Sequence, residues 1–380
     1  MKKSSLSPQT NRIAIASYFF IAGISFASWA SRIPDIKASL KLSDAALGGV
    51  LFALPVGSIF SLPISGWLVA RWGSRNTLLL ASICYPLILI LLGGSSSVVQ
   101  LVSLLLVFGF FGNMMNISVN TQAIGVEALY SRSIMASFHG IWSLAGFMGA
   151  AVGTLLISYH VNPFQHFAII SALMIGLSFY MRSSTLPKDA VGGDQPIFAR
   201  PDAALLKLGL ISFCCMAAEG TMFDWSGVYF QKVVKAPPSL VTLGYASFMG
   251  TMAIGRFIGD RLVLKFGKKE ILKASGITIA MGLLSAVVFP NIYMATIGFL
   301  LVGFGVSSVV PLVYSEAGKS ETLSPGMALA AVSSIGFLGF LMGPPLIGFI
   351  AEAFGLQWSF AIIALLGFGT TLLAKITKFK

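Results

Sequence analysis

Several residues in this chain have a type and spacing that could do chemistry, and all of them lie in apolar surroundings. Glu219 stands about 21 Å into an apolar run that begins near residue 205, counting about 1.5 Å per helical residue. A charge at that depth in hydrocarbon is costly, so an intramembrane acid is by default a candidate for proton relay or ligand pairing. Two readings of Glu219 stand side by side. It exchanges a proton and touches a solute, or it stays protonated and hydrogen-bonded inside a helix bundle. Asp224 follows five residues later and is a second proton-coupling candidate. Five residues rotate a helix by about 140° beyond a full turn, so the two carboxyls share a face only if Gly220 breaks the helix. Arg32 occupies a similar depth at the far end of the first apolar run.

Asn113, Asn116 and Asn120 fall at i, i+3 and i+7, which places them on one helical face. Such a stripe either lines a hydrated cavity or bonds helix to helix. An amide both donates and accepts, which suits solutes rich in hydroxyls, amides or carboxylates. Trp29, Trp142, Tyr245 and Tyr314 could offer stacking surfaces, with packing or interfacial anchoring as the alternative. His139, His160 and His166 fall in different places and form no obvious catalytic or metal set. The cysteines Cys84, Cys214 and Cys215 sit inside apolar stretches and read as small packing residues. No cofactor or metal is implied.

The elements that must position these residues are membrane spans. Of 380 residues, 56% are hydrophobic and only 10% charged, against about 25% charged in soluble domains. A helix needs about 20 apolar residues to cross the hydrocarbon core. Candidate spans lie near 13–33, 45–69, 77–94, 98–124, 136–158 and 164–181, and again near 205–230, 240–264, 271–289, 291–314, 326–350 and 358–376. The hydrophilic segment 182–204, with Lys188, Asp189, Asp194, Arg200 and Asp202, reads as a cytoplasmic linker between an N-terminal half, 1–181, and a C-terminal half, 205–380. The expected fold is an all-α membrane protein of twelve transmembrane helices in two pseudo-symmetric six-helix halves.

The net charge of +12 could suggest a nucleic-acid partner, but the lysines and arginines sit in short clusters between apolar runs and form no basic stripe. Arg32, Lys37, Lys41, Lys232 and Lys235 fall on one side of the membrane, and the other basic residues on the opposite side. The positive-inside rule then puts both termini in the cytoplasm. The N-terminus resembles a signal peptide, yet its apolar run is long enough to span, so an uncleaved first helix is expected.

The halves share a pattern. Gly146, Gly149 and Gly153 in the fifth span match Gly336, Gly339 and Gly343 in the eleventh, with Ser143 and Ser333 three residues before each series. Trp29 matches Trp225, and Gly109-Phe110 matches Gly303-Phe304. Glycines three and four apart make a smooth helix face that lets backbones approach. Pro344-Pro345 in the eleventh span should bend that helix.

After the second span comes Gly66-Trp67-Leu68-Val69-Ala70-Arg71-Trp72-Gly73-Ser74-Arg75, which resembles the signature loop of the major facilitator superfamily. A related stretch after the eighth span holds Arg256, Gly259, Asp260, Arg261 and Gly267. Ala70 and Leu264 stand where the family has an acid, and Asp260 is placed to pair with Arg256 one turn back. The stretches Phe26–Pro34, Glu219–Ser226 and Gly339–Pro345 look like a bacterial branch of inner-membrane permeases distantly similar to fucose permease. The resemblance implies a secondary transporter working by alternating access, with a small-molecule substrate, the lipid bilayer around it and a monomeric state, and the deep Glu219 makes protons the candidate coupling ion. It also brings spans 1 and 7 near the pseudo-twofold axis, where Arg32 and Asp224 could pair as an external gate, with interfacial snorkelling of Arg32 as the alternative.

Uptake of a small polar organic solute competes here with efflux of drugs or metabolites. No G-x-x-x-x-G-K-[ST] sequence points to ATP-driven transport. A membrane enzyme or a sensor on a transporter fold are the rivals from other classes.

Overall fold

In the computed structural model, residues 7–130, 134–187, 201–323, 325–377 and 379 are described. The part of the expected linker at 188–200 lies outside them. Apolar runs of about 20 residues have no water with which to satisfy their backbone, so each closes its hydrogen bonds internally as helix.

The first half of the chain contains α1 (Pro8–Ser39), α2 (Asp44–Leu51), α3 (Ala53–Trp72), α4 (Ser74–Gly93), α5 (Val98–Glu127), α6 (Met135–Ser158) and α7 (Pro163–Arg182). The second contains α8 (Ala203–Lys232), a single 3-10 turn at Pro238–Leu240, α9 (Leu243–Phe266), α10 (Lys268–Val288), α11 (Ile292–Val306), α12 (Val309–Ala317), α13 (Pro325–Phe354) and α14 (Leu356–Ile376). Eleven segments among the described residues are long and apolar enough to cross a membrane, with α2–α3 and α11–α12 each counting as one. The twelfth expected span, α9, is helical but carries Arg256, Arg261 and Lys265.

The helices form two compact units, Met1–Leu40 with Ala53–Gly192 and Lys41–Phe52 with Gly193–Lys380. Within the first, α1 packs against α6, and Gly149 and Gly153 face Ala27 and Ser31 of α1 so closely that an added Cβ would lie 2.6 and 2.5 Å from their side chains. Within the second, α8 packs against α13 in the same way, with Gly336 against Ser212 and Gly339 against the Phe213 carbonyl. Gly109 faces the backbone of Leu54, and Gly303 that of Phe248. Gly149 and Gly339, at matching positions of the repeat, thus do the same job in each unit, leaving room where two helices meet, whereas Gly343 makes only an ordinary contact at 3.9 Å.

The first part of the second span, α2, groups with the C-terminal helices although it precedes α3. Glu352 of α13 accepts the Asp44 and Ala45 backbone N–H groups at 3.0 and 3.3 Å, and Lys232 grips both Asp44 carboxylate oxygens at 2.9 Å. Below them, Gly48 and Gly348 meet backbone to backbone.

Asp202 caps α8. The Leu205 N–H, the Thr322 hydroxyl and the Ala204 N–H all donate to its carboxylate and hold its pKa below the ordinary 3.8. The stabilisation is present above the unfolded value and is lost as pH falls through the lowered folded value. Asp202→Ala should cost about 0.5–2 kcal/mol, read as a lower midpoint of thermal unfolding in detergent. The deficit should shrink in strong acid.

Candidate functional site

Glu219 sits mid-way along α8, where helix geometry turns it toward α9. Its Oε1 lies 3.3 Å from Nη2 of Arg256, with the two side chains 12% and 15% exposed. The contact is at the long limit of a hydrogen bond, so the ion pair is a loose one. Glu219 thus has a cation partner that its sequence neighbourhood does not reveal. Arg256 was expected to reach Asp260, whose side chain lies outside the described residues. Asp224, further along α8, is 7% exposed and has no hydrogen-bond or ion-pair partner among the described residues.

Around the pair, Phe223 meets Tyr245, Phe248 and Phe340 with ring centroids 5.5–6.3 Å apart, and Phe340 also stacks on Phe337. Tyr245 is a buried member of this aromatic group. In the N-terminal unit, Trp29 is 1% exposed and tilts against Phe108, while Trp142 is half-buried beside Phe26. The asparagine face divides in two. Asn113 donates to the Ser58 carbonyl and ties α5 to α3. Asn120 donates back to the carbonyl and side chain of Asn116, which is exposed.

Arg32 is held wholly by its own unit. Its Nε donates to His166 Nδ1 at 3.1 Å, Nη1 to Asp35 at 2.7 Å and Nη2 to the Val161 carbonyl at 2.8 Å. The His166 contact spans 134 residues of chain, and no local pattern marks it. Sequence reading likewise passed over the buried Glu316, whose carboxylate takes Lys268 at 2.7 Å. The signal was faint: an acid just past the apolar run of the tenth span.

The two loop motifs have matching backbones. Gly73 and Gly267 both adopt φ +81°, with ψ of 152° and 154°, a region open essentially to glycine. Gly73→Ala or Gly267→Ala should each cost about 1–3 kcal/mol, measurable by thermal unfolding of purified protein. Arg71 lies over the Trp67 ring, and Arg75 donates to the carbonyl of Arg182, the last residue of α7. Gly259 faces Ser308 closely, Gly66 faces open space, and Arg261 is exposed.

The described residues form fourteen α-helices, with eleven segments long and apolar enough to cross a membrane and recurring glycines at their contacts, the architecture of a polytopic membrane protein. A model of the Major Facilitator Superfamily matches residues 14–321, and the chain belongs to that family. It is 36% identical over 350 residues to an uncharacterized MFS-type transporter of Yersinia pestis, covering 92% of this chain and 91% of the relative. It is 30% identical over 361 residues to the membrane protein MosC of Rhizobium meliloti, covering 93% and 87%. A bacterial homolog of the human lysosomal transporter Spinster, in an inward-facing and occupied conformation, superposes with a TM-score of 0.78 at 15% identity, covering 99% and 98%. The nucleoside transporter NupG superposes at 0.73 and 14% identity, covering 96% and 99%. These structural likenesses concern the fold alone, and none of these comparisons reaches the finer likeness to fucose permease.

Proposed function

We propose that this transporter moves a small polar organic solute by alternating access and couples the movement to protons. The observation that carries the reading is the loose Glu219–Arg256 pair inside the C-terminal unit. When Glu219 is ionised it occupies Arg256. When it takes a proton, the attraction is lost and the guanidinium becomes available to an acceptor on the solute. Proton binding and solute binding are then linked through one residue. Within the N-terminal unit, the exposed Asn116 amide and the half-buried Trp142 are groups of the polar and stacking kind that a polar solute uses. Trp29 is buried and is assigned to packing. Asp224 is a second protonatable group on α8.

The charge asymmetry of the loops supports a bacterial inner-membrane protein with both termini in the cytoplasm. The test is proton movement in liposomes containing the purified chain, screened with sugars, sugar acids, amino acids and drugs. Solute-dependent proton uptake supports the proposal, and its direction relative to the solute separates import from efflux. Solute transport with no accompanying proton movement would overturn the coupling.

A further inference from the structure

At the end of the N-terminal unit remote from Ser7 lies a cavity of about 480 Å³, within the usual range for small-molecule sites. Its walls are the last turns of α1, the turn after α4 and the turn joining α6 to α7. Polar groups come from Arg32, Asp35, Ser39, Ser95, His160 and Asn162. All belong to one unit, whereas Glu219 and Arg256 belong to the other.

The hydrogen bonding is incomplete in a way that points to a ligand. Arg32 is 3% exposed, and Nε, Nη1 and Nη2 each spend one N–H on the protein. A guanidinium has five N–H groups, so one remains on each Nη. Asp35 is 38% exposed and takes Arg32 through Oδ2, and its Oδ1 has no partner among the described residues. Asn162 uses Oδ1 to accept from the Gln165 N–H, and its amide NH2 has no partner among the described residues. The His160 imidazole is also unpartnered among them.

Charge decides the ligand class. Arg32 and Asp35 cancel each other at 2.7 Å. His166 accepts the Arg32 Nε–H at Nδ1, so it is the neutral tautomer with its proton on Nε2. An anion gains nothing from a pair already neutralised and is repelled by Asp35. A lone cation is repelled by Arg32. A zwitterion would meet the same free atoms, but it must give up the hydration of two full charges beside a pair that already neutralises itself. A neutral solute with adjacent hydroxyls leaves the pair intact. One hydroxyl donates to Asp35 Oδ1, and the neighbouring oxygen accepts from an Arg32 Nη–H. The Asn162 amide donates to a third.

We infer that this cavity binds a neutral polyhydroxylated solute, with vicinal hydroxyls bridging Asp35 and Arg32. The site stands whether or not the chain is proton-coupled. Its test is calorimetric titration of the full chain in lipid nanodiscs with mannitol and D-glucose, beside alanine, acetate and inorganic phosphate. Saturable binding of a polyol is expected, weakened about tenfold or more in Asp35→Asn, as for loss of a hydrogen bond to a charged group. Asn162→Ser, which keeps an N-cap acceptor for the Gln165 N–H of α7 but removes the amide NH2, should weaken it about fivefold. The inference is overturned if no polyol binds to the folded protein, or if alanine, acetate or phosphate binds in preference. Polyol binding unchanged in both variants would overturn it as well.

Discussion

In liposomes carrying a pH gradient of one unit, the Glu219→Gln protein should exchange solute across the membrane but no longer accumulate it. One pH unit is worth about 1.4 kcal/mol per proton, so the parent protein can reach about tenfold accumulation for each proton coupled. The variant should fall to a ratio of about one. Glutamine keeps the size of the side chain and can still offer a carbonyl oxygen to Arg256 Nη2, now 3.3 Å from Glu219. What it cannot do is release and recover a proton. Exchange without accumulation would therefore separate the proton from the solute while leaving the helices in place. If accumulation driven by pH survives in Glu219→Gln, the residue has no part in coupling, and Asp224 becomes the acid to examine.

Arg256→Met should destabilise the C-terminal unit strongly. Removing one member of a buried ion pair strands the other, at a cost of about 3–5 kcal/mol. The residual exposure of Glu219 and Arg256, 12% and 15%, places the expected loss near the lower limit, about 3 kcal/mol. The double variant Glu219→Gln/Arg256→Met should recover part of that loss, because Glu219 is then no longer a stranded charge. Thermal unfolding of the parent, the two single variants and the double variant gives the coupling directly. Additive losses, or a stable Arg256→Met protein, would mean that the two groups do not depend on each other.

Much of this architecture is set by patterns that are local in the chain. Hydropathy over about 20 residues is enough to place the spans, because lipid demands that each segment satisfy its own backbone. The Gly149–Gly153 and Gly336–Gly339 series gave away which helix faces approach closely, since only missing side chains let backbones meet. Gly73 and Gly267 marked two turns whose dihedrals other residues avoid. Equivalent glycines in both halves made the repeat legible.

The pairing of charges was decided by tertiary structure. Arg256 meets Glu219, 37 residues distant in the chain, a contact that no local pattern marks. Arg32 binds a histidine 134 residues away, and Glu352 caps a helix whose first residue is 308 residues distant. The grouping of α2 with the C-terminal helices depends on that cap, on the Asp44–Lys232 pair and on the Gly48–Gly348 contact. The physical reason is the range of each signal. Span formation is a transaction between one segment and lipid, so it is written segment by segment. A buried charge must find its counter-charge wherever packing brings one, and packing is settled by all the helices of a unit together.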